Sequence, residues 1–284
     1  MNYTIKNDIL TVEIASKGAE LMSVKKDGVE YLWQGDSAYW TGRAYNLFPA
    51  CGRMVDGKYT YKGDIYEMKI HGIVRYVECA VAEHEVDRIV FVLEANEETK
   101  KIYPFNFKFF VEYKLEGNKL IHKYTAINND EKIMPCTFGG HPGFNVPLDN
   151  GEFSDYYIEF SEECEPTEAF FSHSGKLEGL VRDKKFIDLK HSLFDNDSIF
   201  LSGAANTVTL KSDKSKRSVT VVYPDMQYIG IWHMPQTDAP YVCIEPWCGS
   251  PANPGQYSDL ETMQDMFHLA PGETKSVGFD VIID

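Results

Sequence analysis

Residues Phe107 to Ala126 read FKFFVEYKLEGNKLIHKYTA. Two alternating runs, Phe107 to Leu115 and Lys119 to Ala126, meet at Glu116-Gly117-Asn118. Period-two alternation sends successive side chains to opposite faces of a strand, and a glycine-centred turn between two such runs reads as a β-hairpin. The same pattern extends toward the N-terminus. Val77 to Val86 and Ile89 to Ala95 meet at Asp87-Arg88, Lys58 to Tyr61 and Ile65 to Met68 flank Gly63-Asp64, and Leu21 to Lys26 and Val29 to Trp33 flank Asp27-Gly28, with Ile9 to Ile14 ahead of them. Toward the C-terminus the spacing loosens. Tyr156 to Phe160, Thr207 to Lys211, Ser218 to Tyr223, Tyr228 to Trp232, Tyr241 to Glu245 and a closing Lys275 to Val281 are the strand candidates. Turn chemistry roughly every 8–12 residues predicts a sandwich or barrel. One short helix is expected, where Ser258-Asp259-Leu260-Glu261 reads as a capping box ahead of Met263 and Met266. The hydrophobic pattern never breaks long enough to separate domains, so residues 1–284 are expected to form a single all-β domain.

Composition narrows the function. With 28 basic and 43 acidic residues the formal net charge is −15, which disfavours nucleic acid and anionic membrane surfaces as partners. No apolar run approaches the roughly 20 residues of a membrane span. The start, MNYTIKNDIL, has neither the basic nor the apolar region of a secretory signal. The six cysteines form no C-x-x-C pair, so reduced thiols in the cytoplasm are expected. The glycine-rich dinucleotide fingerprint, the P-loop, H-E-x-x-H and G-x-S-x-G are all absent. The eight histidines include no pair at i, i+2 or i, i+4, so no local metal motif exists. Only ligands brought together from distant strands would make a metal site.

Three segments set titratable residues among glycines and prolines. They are Phe48-Pro49-Ala50-Cys51-Gly52-Arg53 followed by His71-Gly72-Ile73-Val74-Arg75, then Phe138-Gly139-Gly140-His141-Pro142-Gly143-Phe144-Asn145, then Cys243-Ile244-Glu245-Pro246-Trp247-Cys248-Gly249. Read as turns on a rigid sheet, these are places where sites are built. Taken singly, His71 can be a strand cap, His141 a turn residue, and Arg53 and Arg75 surface charges. Glu245 differs, because a carboxylate at the end of an apolar strand needs a partner or a ligand.

Together the segments resemble the aldose 1-epimerase (galactose mutarotase-like) family. That family has a His-Gly segment in its first third, His-Pro-x-Phe-Asn near the middle and Glu-Pro in its last third. Here these are His71-Gly72, His141-Pro142-Gly143-Phe144-Asn145 and Glu245-Pro246, in the same order. The resemblance spans nearly the whole chain. It implies a large β-sandwich with a sugar cleft, and interconversion of the α and β anomers of a hexose without cofactor or metal. By matching position, Glu245 would be the general base on the C1 hydroxyl and His141 the general acid on the ring oxygen. His71 and Arg53 would position the sugar. Asp197, in Asp197-Ser198-Ile199-Phe200, fits the family's hydroxyl-binding aspartate, with Asp195 as the alternative. Trp232, Trp247 and Phe144 could cover the apolar face of a pyranose.

The chemistry suits these residue types. Opening a cyclic hemiacetal needs one proton removed and one delivered, which a carboxylate and an imidazole do near neutral pH. A near-neutral rate optimum is therefore expected. Gly143 and Trp247 stand where many members have Tyr and Gln. The His71–Arg75 segment resembles the branch acting on hexose 6-phosphates, in which case Arg53 and Arg75 would bind phosphate. Two other classes remain. A sugar-binding protein without turnover would not need both His141 and Glu245. A lyase or hydrolase on the same sandwich would need a polysaccharide groove and usually further domains.

Overall fold

In the computed structural model, residues 1–168, 179–252, 255 and 257–284 are described. Phe107–Glu116 and Lys119–Asn128 pair antiparallel, with Phe107 opposite Asn128 and Glu116 opposite Lys119. Phe107, Phe109, Val111, Tyr113 and Leu115 are buried, and the residues between them are not. Apolar burial on one face is what selects this register, since a one-residue slip would turn the set to solvent. Among the described residues this hairpin lies within a nine-stranded antiparallel sheet that runs from Phe186–Asp188 to Ala80–His84. Facing it is a second sheet, ordered Thr167–Glu168, Ile199–Ser202, Tyr228–Trp232, Tyr241–Trp247, Gly139–Asn145 and Ala44–Leu47.

One hydrophobic cluster fills the space between the sheets. It holds Phe107, Phe109, Tyr124 and Phe279 from the first sheet and Phe144, Ile229, Ile231, Val242 and Ile244 from the second. A polar clip crosses the same space. The buried Asn46 amide donates to Gly18 O, Ala19 O and Tyr113 Oη, and its oxygen accepts from Tyr124 Oη at 2.8 Å. A buried amide satisfied this fully holds the edge strand Ala44–Leu47 in one place. Alternation then sends Tyr45 to the opposite face, away from the core.

Most of the expected strands appear, and the differences have local causes. The expected helix after Ser258 does not form. Ser258–Asp259 pairs in parallel with Tyr59-Thr60, and Leu260 N–H goes to Thr60 O. The Asp259 carboxylate accepts from Glu261 N–H, so the capping signal serves a turn. A helix forms instead at Glu97–Ile102, where the Asn96 side chain accepts from Glu98 and Thr99 N–H and Thr99 Oγ1 accepts from Asn96 N–H. Gly139–Asn145, read above as a turn, is a fully paired strand. Val29 to Trp33 pairs in its sheet only at Val29–Glu30. Among the described residues no helix is long and apolar enough to cross a membrane.

His122 is the cost in this core. Its ring lies within 4.3–4.6 Å of the Tyr113, Tyr124 and Phe279 rings, and among the described residues its Nε2 has no hydrogen-bond partner. Burial pushes its pKa down to about 3. The unfolded chain therefore takes up a proton near pH 6.5 that the native state refuses, and stability falls as the pH drops from there toward 3. In urea titrations across this range, His122→Phe should lose stability less steeply than wild type, by up to about 1.4 kcal/mol per pH unit. Equal slopes would contradict this account.

Candidate active site

The outer face of the second sheet carries the site, and strand register explains its composition. Gly139 lies opposite Trp247 and Gly143 opposite Cys243, so His141 faces Glu245 across the strands midway between them. On the other flanks Glu245 pairs with Gly230, Trp232 with Cys243, and His141 with Tyr45. Period two thus brings Tyr45, His141, Glu245, Trp247 and Trp232 to one surface while Phe144, Ile244 and Ile231 go to the core. Gly139 and Gly143 flank His141 for a steric reason. A Cβ at Gly139 would stand 2.8 Å from Trp247 Cδ1, and one at Gly143 would stand 3.1 Å from Trp40 Cζ3. Bare backbone on both sides lets two tryptophans close over the sheet.

A cleft of about 420 Å³ opens on this surface, within the usual range for small ligands. Eight of the residues singled out in the sequence line it: Glu245, His141, His71, Arg53, Asp197, Arg75, Trp232 and Trp247. Phe144 does not, because it points into the core. Asp195 does not line it either; it lies C-terminal to the 3-10 turn His191–Phe194. Trp40, Tyr45, Ile70, Met234 and Pro251 also line the cleft and carry no motif that the sequence reading could use. Trp40 matters most, since its ring lies 5.0 Å from that of His141 at a 30° tilt. Tyr45 could have been found by pairing its strand with that of His141.

At the floor, His141 Nε2 and Glu245 Oε2 are 3.3 Å apart. Both side chains are almost wholly buried. Burial, and then the nearby Asp197, push the Glu245 carboxyl well above its ordinary pKa. Burial, with a smaller push from Arg75, holds His141 down to about 3. Removing water penalises the charged form of each group. Both shifts favour the uncharged forms, a carboxylic acid beside a neutral imidazole, with one exchangeable proton to share between them.

His71 is held from the other side. Its Nδ1 accepts from Gly52 N–H at 3.1 Å, and its backbone N–H donates to Gly52 O at 2.8 Å. Burial, His141, Arg75 and Arg53 all lower its pKa, so it is neutral. With Nδ1 accepting, the ring proton sits on Nε2 and is a fixed donor. The Arg75 guanidinium lies 3.4 Å from the centre of the Tyr45 ring. Among the described residues neither Arg53 nor Arg75 makes an ion pair with a carboxylate. Trp247 is anchored through Nε1 to Gly140 O at 3.1 Å. Asp197 sits at a φ of +94°, a strained position for a residue with a side chain.

The site also brings together a combination that sequence spacing hid. Donor atoms of His141, Cys243 and Glu245 all lie within 4.8 Å of one another. All six cysteines are free thiols, and five of them are buried.

Comparison with known proteins agrees with this architecture. The sequence model described as aldose 1-epimerase matches residues 1–278. The chain is 32% identical over 299 aligned positions to the chromosomal protein LacX of Lactococcus lactis subsp. lactis, covering 100% of this chain and 99% of the relative. The crystal structure of a galactose mutarotase related enzyme from Lactobacillus acidophilus superposes with a TM-score of 0.91 at 34% identity, covering 100% of this chain and 97% of that one. A galactose mutarotase-like protein from Lactobacillus casei gives a TM-score of 0.91 at 28% identity, with 100% of both chains covered.

The protonation argument has a direct readout. Nitrogen NMR of the imidazoles should show His141 neutral from about pH 5 to about pH 8, with no step near the ordinary value of about 6.5. An imidazolium signal for His141 at neutral pH in the ligand-free protein would contradict it.

Proposed function

The chain belongs to the aldose 1-epimerase family, and we propose that it interconverts the α and β anomers of a hexose by acid–base ring opening. Glu245 takes the proton of the C1 hydroxyl as the bond from C1 to the ring oxygen breaks. His141 delivers a proton to that oxygen. The product is the open-chain aldehyde, with one proton moved in and one moved out. Rotation about the C1–C2 bond turns the other face of the carbonyl to the ring hydroxyl. Closure runs the same steps backward and restores the pair, so no outside acid or base is consumed. His71 donates from Nε2 to a sugar oxygen, Asp197 accepts from hydroxyls, and Trp232 and Trp247 cover the apolar face.

The observation that carries this reading is the 3.3 Å approach of His141 and Glu245 inside a cleft of sugar size. A pair that holds one proton can present it from either side. Shifting the proton from carboxyl to imidazole makes the base and the acid in one step, and the total proton count stays fixed. The cost of that charge separation is offset by sugar hydroxyls bonding to the carboxylate. Each positioned acid or base is worth about 10²–10⁴-fold. The reduced thiols fit a cytoplasmic location.

Polarimetry on freshly dissolved α-glucose, α-galactose and glucose 6-phosphate tests the reading. Relaxation far above the spontaneous rate is expected for one of them. Glu245→Gln and His141→Asn should each lower turnover by about 10²-fold or more while calorimetry still detects sugar. Near-normal mutarotation in either variant would remove that residue's role. If wild type binds a sugar and turns none over, the protein is a sugar-binding member of the fold.

A phosphorylated substrate is the second reading, favoured by two arginines that face the cleft and that, among the described residues, have no carboxylate partner. Arg75→Ala should then lose more activity on the 6-phosphate than on the free hexose. Equal losses on both would leave the free hexose as the substrate.

A further inference from the structure

Cys243 has no part in the reaction above, yet it sits beside the two residues that do. It shares a strand face with Glu245 two residues on, and its cross-strand partner is Gly143. No side chain stands opposite the sulfur at Gly143, and Cys243 is fully buried beneath the cleft floor. A Cβ at Gly143 would come 3.3 Å from Cys243 Sγ. We propose that His141, Cys243 and Glu245 form a reversible chelating site for a borderline-soft divalent cation such as Zn²⁺, and that loading this site blocks the sugar chemistry. The blocking half rests on the function proposed above; the binding half does not.

Geometry, donor chemistry and charge each support it. Two nitrogen or oxygen ligands at about 2.0–2.1 Å from a tetrahedral zinc lie about 3.4 Å apart. His141 Nε2 and Glu245 Oε2 already stand 3.3 Å apart. A sulfur ligand at about 2.3 Å belongs about 3.6 Å from each of them. The three donors lie within 4.8 Å of one another, so the thiol closes by a shift on the order of 1 Å. All three are fixed on paired strands, not on loops. A thiolate, an imidazole and a carboxylate suit Zn²⁺ or Co²⁺ and not Mg²⁺ or Ca²⁺. Binding displaces the Cys243 thiol proton and the Glu245 carboxyl proton to solvent; thiolate, imidazole and carboxylate then sum to −2, so a divalent cation leaves the buried cluster neutral, the arrangement a dry site favours. Three protein ligands leave the fourth position open toward the cleft. Among the described residues His141 Nδ1 has no hydrogen-bond partner. Tightly held zinc histidines donate that second nitrogen to an acceptor. The missing support makes this an exchangeable site and not that of a resident metal.

Cobalt reads the site without any assay of turnover. Wild type titrated with Co²⁺ should develop a thiolate-to-cobalt charge-transfer band that saturates at one cation per chain and is displaced by Zn²⁺. Cys243→Ala and Cys243→Ser should both lose the band and keep wild-type mutarotation. Their inhibition by Zn²⁺ should need a concentration raised by more than the about 10–100-fold that outer-shell changes cost. Mg²⁺ should do nothing to any of the three proteins. The proposal is overturned if wild type shows no band, if the band survives in both variants, or if Zn²⁺ inhibits them as strongly as wild type. If wild type mutarotates no sugar, the function reading fails and the cobalt titration alone still decides the site.

Discussion

A carboxyl and an imidazole 3.3 Å apart, both shut away from water, set the terms for the rest of this molecule. Two free charges there would be costly, and two unrelated neutral groups would do no chemistry. One proton between them resolves both problems. The contact exists only because the strand of His141 pairs with the strand of Glu245 in one register. A slip of one residue by either strand would turn its member of the pair into the core. The sandwich prevents that slip. Phe144 and Ile244, neighbours of the pair on the opposite face, are locked into the cluster beneath. Asn46 clips the outer strand with four hydrogen bonds, which places Tyr45 and through it Arg75 at the rim.

Charge is organised locally against the overall balance. The chain carries −15, yet Arg53, Arg75 and two imidazoles share one cleft. Arg53 and Arg75 both help to keep His71 neutral, and Arg75 acts on His141 as well. Asp197 works in the other direction, adding to the burial that raises the pKa of Glu245. Every charged neighbour that contributes thus favours the uncharged pair until a sugar supplies hydrogen bonds in place of water.

Much of this was legible in the sequence, for identifiable reasons. Long alternating runs such as Phe107 to Leu115 report a half-buried strand without help from tertiary context. Glu245 was conspicuous because a carboxylate within an apolar run demands an explanation. His141 misled, because its glycines and proline read as a turn. They are instead the bare flanks that two tryptophans need, and only the paired strand shows why. The helix expected after Ser258 failed for a similar reason. Asp259 was free to cap, but Ser258–Asp259 and Leu260 were already taken up by the edge strand at Tyr59-Thr60. Trp40 and the approach of Cys243 to the pair depend on long-range packing and left no local signature.

The claim at the centre is that Glu245 and His141 act as one unit with one proton. A double-mutant cycle read by polarimetry tests it most directly. Relaxation rates would be compared for wild type, Glu245→Gln, His141→Asn and the double variant on the same sugar. A unit predicts that each single change already removes nearly all that the pair contributes, so the double variant is no slower than the slower single one. Losses that multiply, about 10²-fold for each change and about 10⁴-fold for both, would mean two independent groups and would contradict the account.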